Sequence, residues 1–242
     1  MADYQTAVRR EGVIGTDIDE GLRAYMTKVY VLMAVAMVIT GAVAFYIGNS
    51  PTLLAAIFGS PLKWVAMFAP LGVVFLFSAT IHKMSAATAQ IVFWGFAALM
   101  GVSISFIFAV YTGMSIATTF FVTAIAFLSL SLYGYTTKKD LSGWGTFLIM
   151  GVIGLIVASL LNIFLQSPAL QFAVSALGVL IFAGLTAYDT QRLKNEYIHF
   201  SRMGAEGAAY LAKGAIMGAL SLYINFLNMF MFLLQFLGAA RE

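Results

Sequence analysis

Very few side chains in this sequence can do chemistry at membrane depth. One is Asp189, in the run Ala187-Tyr188-Asp189-Thr190-Gln191-Arg192 that closes a long apolar stretch. Acids inside a membrane are costly and mark functional sites. Two readings of Asp189 are open. It is either a helix-end acid at the headgroups, paired with Arg192 or Lys194, or a partly buried carboxylate that takes up a proton or holds a cation. A second constellation lies near the C-terminus. Gly214, Gly218, Ser221, Asn225 and Asn228 are spaced by four, three, four and three residues, and Gln235 follows one heptad after Asn228. That spacing places them on one face of a helix. Gly214 and Gly218 form a GxxxG pair, which lets a neighbouring backbone approach closely. The two asparagines then either bond neighbouring helices as packing groups or line and plug a water-accessible path. Thr118, Thr119 and Thr123 are expected to bond back to their own helix, and Ser159, Asn162 and Gln166 form a polar stripe suited to a bond between helices.

Several kinds of chemistry are excluded. With no Cys there is no disulfide, thiolate or Cys-based metal site. The two histidines, His82 and His199, fall in predicted loops, so a serine nucleophile at depth lacks its base. One intramembrane acid cannot form an aspartyl dyad, and no Lys within the last apolar run could hold retinal. The chain is expected not to be an enzyme and to carry no cofactor. It has no basic patch interleaved with aromatics, so nucleic acid is not an expected partner.

The elements that position these residues follow from composition. The chain has 242 residues, of which 62% are hydrophobic and 10% charged, against roughly 25% charged in soluble domains. The lipid bilayer is the solvent such a surface needs. A helix crosses the hydrocarbon core with about 20 apolar residues. Seven runs qualify: Val29–Gly48, Leu62–Ile81, Ala89–Tyr111, Ser115–Tyr135, Thr146–Gln166, Ala169–Asp189 and Gly214–Leu237. The fold class is an all-α membrane protein with seven transmembrane helices. The breaks fall at Asn49-Ser50-Pro51, Ser60-Pro61, His82–Thr88, Thr112–Gly113, Thr136–Gly145, Ser167–Pro168 and the polar stretch Thr190–Lys213. The sixth helix has the option of continuing past Asp189 toward Tyr197.

Residues 1–28 form a tail too long and too mixed for a signal peptide. Residues 29–238 are the transmembrane domain, and 239–242 a short C-terminal tail. Within the first tail, Thr16 and Asp19 resemble a capping box, and Ile18, Leu22, Tyr25 and Val29 recur at helical spacing. A short amphipathic helix running into the first span is expected there. With the N-terminus inside, eleven of the thirteen Lys and Arg residues lie on the cytoplasmic side, and only Lys63 and Arg241 lie outside. The positive-inside rule selects that orientation.

The order of motifs resembles the Bax inhibitor-1 family, the transmembrane Bax-inhibitor-motif proteins, in a bacterial member. The similarity runs from about Leu22 to Leu237. It includes Lys28-Val29-Tyr30 with Ile39-Thr40-Gly41, and Gly134-Tyr135-Thr136-Thr137-Lys138-Lys139-Asp140-Leu141. It continues through Phe182-Ala183-Gly184-Leu185-Thr186-Ala187-Tyr188-Asp189-Thr190-Gln191 to Ala219-Leu220-Ser221-Leu222-Tyr223-Ile224-Asn225-Phe226-Leu227-Asn228. The resemblance implies six helices surrounding a central seventh, in the bacterial inner membrane, with the C-terminus periplasmic. It implies a pH-sensitive calcium leak governed by two acids between the sixth and seventh helices. Asp189 takes the place of the first acid and would touch Ca²⁺ transiently. Asn225 stands where the second acid is expected. An amide donates to a charged Asp189 or accepts from a neutral one, so weaker pH gating, or gating centred on Asp189 alone, is expected. Cations, Ca²⁺ or protons, would pass along Ser221, Asn225 and Asn228. The alternative is an interaction protein: some relatives resemble regulators of a membrane-bound AAA protease, which could engage the cytoplasmic tail.

Overall fold

The computed structural model describes the backbone of residues 2–239 and 241, and the side chains from Asp19 onward except those of Ala240 and Glu242. The chain is helical, with no β-strand among the described residues. In order, the helices are α1 (Ala2–Gly48), α2 (Pro51–Phe58), α3 (Leu62–Thr80), α4 (Ala86–Ile104), α5 (Ile107–Val110), α6 (Gly113–Thr136), α7 (Ser142–Leu165), α8 (Pro168–Phe200) and α9 (Gly204–Leu237). Seven of them are long, and α2 and α5 are short. Six stretches are long and apolar enough to cross a membrane, and the last, Pro168–Leu237, contains both α8 and α9.

The predicted breaks are sites of capping chemistry. Ser50, Ser85, Thr112 and Ser167 each accept a hydrogen bond from the backbone N–H three residues on, at 3.4, 3.1, 3.3 and 3.3 Å. Each satisfies one of the donors that a helix start leaves unpaired. Pro51 and Pro168 occupy the first turn, where a missing N–H costs nothing. Gln166 ends α7 in the left-handed conformation, with φ 48°.

Three boundaries differ from the sequence reading. The polar stretch Thr190–Lys213 is not a loop. It is the projecting end of α8, a 3-10 turn at Ser201–Met203, and the start of α9. At 33 and 34 residues, α8 and α9 are each about 50 Å long, well beyond the ~30 Å hydrocarbon core. Polar side chains do not break a helix once it has left the hydrocarbon. The hairpin turns at Gly204, whose φ of 61° suits glycine. The predicted span Ala89–Tyr111 is interrupted after Ile104 and resumes as α5. Between the first two spans the chain forms α2. Helix α1 passes through Lys28 and Val29 without a break, as a tail helix that runs into the first span must. The Thr16 capping box lies outside the described side chains. Leu22, Tyr25 and Val29 of the amphipathic segment are buried.

Helix α9 lines the interior. Ala219, Leu222, Tyr223 and Leu234 are completely buried. It packs directly on α8, α1, α6 and α4, whereas α3 leans mainly on α4 and α7 mainly on α8. Four of the six other long helices thus form the main wall around the seventh. The outer faces carry large exposed apolar side chains, such as Phe164, Phe75 and Val38, as a lipid-facing surface requires. The core contains a hydroxyl knot. Tyr223 on α9 bonds Thr40 on α1 at 2.6 Å, and the Thr40 hydroxyl lies 2.8 Å from the Ala97 carbonyl of α4 and 2.9 Å from that of Ala36. The threonine of the Ile39-Thr40-Gly41 motif thereby ties three helices together.

Candidate functional site

Asp189 sits in α8 at 6% exposure, facing α9. Its Oδ2 accepts a 2.7 Å hydrogen bond from the Asn225 amide. Its Oδ1 lies 3.0 Å from Arg192 Nη2, one turn further along the same helix. The carboxylate therefore has a charged partner and an amide donor, the partners that a buried acid needs. Both readings of Asp189 meet here: it is buried, and it is paired with Arg192. Lys194 takes no part, because its ammonium donates to the Tyr135 carbonyl at 2.8 Å.

Arg192 extends the cluster. Its Nη2 donates to Ser221 at 3.4 Å. Its Nε is 3.6 Å from Glu196, a charge contact too long for a hydrogen bond, and the Nε is enclosed with no such bond among the described residues. The guanidinium also lies 5.8 Å from the Tyr188 ring. Asp189, Arg192 and Glu196 follow the three- and four-residue spacing that puts one face of α8 against α9. Nearby, the buried Tyr25 hydroxyl has no hydrogen-bond partner among the described residues, and its ring stacks at 5.3 Å on Tyr197. Sequence reasoning missed Glu196 and Tyr25 as neighbours. Glu196 was legible as the i+4 residue after Arg192, but Tyr25 reaches the site only through tertiary packing.

The structure brings Asp189, Asn225 and Ser221 together and separates them from Asn228. The Asn228 amide donates to the Ile224 carbonyl of its own helix at 2.9 Å. The two glycines of α9 serve different neighbours. A Cβ at Gly218 would lie 2.4 Å from Leu193 of α8, and one at Gly214 would lie 3.3 Å from the Tyr25 hydroxyl of α1. Beyond Asn225, the buried Phe226, Met229, Phe230 and Leu234 fill the interior. The next polar group of α9 that bonds across to a neighbouring helix is Gln235, whose Oε1 accepts from Gln171 at 2.8 Å and Ser175 at 3.1 Å. Asn162 of the polar stripe on α7 joins that cluster through Gln171 at 3.1 Å. Ten residues, about 15 Å of helix, separate Asn225 from Gln235.

The residue after the AYDT segment anchors the neighbouring loop. Gln191 donates to the Lys139 carbonyl and accepts from the Leu141 N–H, both at 2.8 Å. It thus holds the Lys138-Lys139-Asp140-Leu141 loop on α8. In that loop Asp140 accepts from Ser142 N at 2.9 Å, and hydrogen bonding to Ser142 holds its carboxyl below the usual carboxylate range. Gly134 of the same motif permits the α6–α8 contact, since a Cβ there would lie 2.2 Å from the Ala187 carbonyl. His199 is exposed beside Phe200, and the His82 carbonyl accepts from Lys213 at 3.0 Å. Among the described residues no three His, Cys, Asp or Glu side chains gather as a metal site.

The family model described as inhibitor of apoptosis-promoting Bax1 matches residues 22–242. A Caulobacter vibrioides protein is 49% identical over 234 residues, covering 93% of this chain and 92% of that one. The inner membrane protein YbhL of Escherichia coli is 45% identical over 222 residues, covering 91% of this chain and 94% of that one. A membrane protein of Streptococcus pyogenes is 32% identical over 229 residues, covering 93% and 97%.

Proposed function

The chain belongs to the Bax inhibitor-1 family of membrane proteins, and from that premise we propose that it conducts cations slowly, Ca²⁺ in particular, along the interface of α8 and α9. The observation that carries this reading is Asp189. It is a buried acid at the edge of an apolar bundle, already holding one cation, the Arg192 guanidinium. Arg192 is 40% exposed at its side chain while Asp189 is buried, so the guanidinium is a partner that can leave for solvent and be replaced by another cation. In the conducting state Arg192 swings toward Glu196 and solvent, and Ca²⁺ or a proton takes its place at Asp189. Ser221 and Asn225 supply further oxygen ligands, which suits a hard cation. In the conformation described above, the path beyond Asn225 is shut by Phe226, Met229 and Phe230. Conduction therefore requires α9 to shift against its neighbours. In this reading the membrane is the inner membrane, the one for which the Escherichia coli relative is named, with the Asp189 end cytoplasmic by the distribution of Lys and Arg.

Ca²⁺ uptake into liposomes containing the purified chain tests this function. Uptake above that of protein-free vesicles supports it. Protein-free rates at every pH between 5 and 8 reject it, and leave a chain that acts on a partner such as a membrane protease without conducting.

A further inference from the structure

Helix α1 packs mainly on α4, α9 and α8, while α6 packs mainly on α8 and α9. Between α1 and α6 runs a groove. Its middle is a cavity of about 690 Å³, walled by Ala34, Gly41 and Ala42 on α1 and Ala124 on α6, and floored by Phe127 and Phe226. Small side chains on both walls make the room, and a Cβ at Gly41 would meet nothing within 4 Å. Toward the start of the α1 span and the end of α6 the groove continues into a second space of about 340 Å³, with Arg23, Thr27, Ser131 and Tyr135 on its walls. Tyr30 and Leu128 line both spaces. The Tyr30 hydroxyl bonds Ser131 across the groove, a polar bridge between its two compartments.

We infer that this groove binds a bilayer phospholipid with an anionic headgroup. One acyl chain lies in the small-residue slot, the glycerol region at Tyr30 and Ser131, and the phosphate beside Arg23. Three features select this occupant. The slot opens sideways into the hydrocarbon, because Val38 and Leu128 on its lining are 71% and 63% exposed. Its length fits one leaflet: from Tyr30 to Ala42 α1 advances about 18 Å, close to half of the ~30 Å core. Its polarity is one-sided. Among the described lining residues, charge and hydroxyls occur only at the Arg23 end. A helix from a second copy would match the apolar slot but not that end. Basic pockets between membrane helices suit anionic headgroups. The site also touches the α8–α9 cluster, because Ser131 bonds Thr190 at 3.0 Å, next to Asp189.

The test is native mass spectrometry of the full chain released from vesicles of phosphatidylglycerol and phosphatidylcholine in equal amounts. The wild type is expected to retain one phosphatidylglycerol. Gly41→Phe fills the slot and is expected to lose it. Gly72→Phe, at another glycine with open space around it, is expected to keep it. Arg23→Gln, at an exposed position, is expected to keep a lipid but to lose preference for phosphatidylglycerol by about fivefold, the effect of one basic residue at an anionic surface. Equal retention by wild type and a folded Gly41→Phe overturns the proposal. So does an unchanged preference in Arg23→Gln, which decides the matter even if Gly41→Phe fails to fold. A lipid-free dimer that Gly41→Phe separates would assign the groove to a second copy instead.

Discussion

The Asn225 amide donates a 2.7 Å hydrogen bond to the Asp189 carboxylate across the α8–α9 interface. The carboxylate's other oxygen faces Arg192 at 3.0 Å. An amide therefore fills the position at which a second acid would face the first. The site holds its acid by donation and counter-charge, where two acids would have to share a proton.

Introducing a second acid adds a titration step. In Asn225→Asp, two carboxylates in contact will not both ionise. The folded variant holds a proton that the unfolded chain releases, so its stability falls as pH rises. The expected outcome is a melting temperature in detergent that drops by about 2–8 °C relative to wild type between pH 5 and pH 8, the shift that roughly 1–2 kcal/mol gives in a chain of this size. Parallel pH profiles for the two proteins would refute this.

Helices α6 and α8 touch through Gly134. In Gly134→Ala the added Cβ would start 2.2 Å from the Ala187 backbone oxygen, which cannot rotate away. The helices must separate, at an expected cost of about 1–3 kcal/mol. Gly154→Ala, where a Cβ meets nothing within 4 Å, is expected to be neutral or slightly stabilising, by up to about 1 kcal/mol. Thermal unfolding of the two variants side by side decides the matter.

The hydroxyl knot makes a double-mutant cycle informative. Tyr223→Phe removes one bond and leaves Thr40 with carbonyl partners, at about 0.5–1.5 kcal/mol. Thr40→Val leaves the fully buried Tyr223 hydroxyl unpaired and is expected to cost more, about 1–3 kcal/mol. The double variant should cost less than the sum. Strict additivity in denaturation would show that the hydroxyls do not depend on each other.

Gln191 makes two hydrogen bonds to the Lys139–Leu141 loop. At about 1 kcal/mol each, Gln191→Ala should raise the open population of that loop by tenfold or more. Trypsin cleavage after Lys138 or Lys139 reads this directly, and an unchanged cleavage rate would remove the clamp from the account.

Much of this was legible in the sequence because membrane helices leave a strong local signal. The capping serines and prolines at Ser50-Pro51 and Ser167-Pro168 marked real breaks, and the four-three spacing put Ser221 and Asn225 on the face that meets α8. Polarity misled at Thr190–Lys213, where the helices continue into water. The role of Asn228 was not legible either. An amide at helical spacing has its own i−4 carbonyl as a competing partner, and local geometry won. The contact between Asp189 and Asn225 depends on the register of α8 against α9, which Gly218 and Leu193 set in three dimensions.

The most direct measurement compares Ca²⁺ uptake by wild type and Asp189→Asn in proteoliposomes of equal protein content across pH 5 to 8. The account predicts uptake by the wild type and near-background uptake by the variant, because the amide keeps the packing but cannot exchange Arg192 for Ca²⁺. Wild-type rates in Asp189→Asn, at every pH, would contradict it.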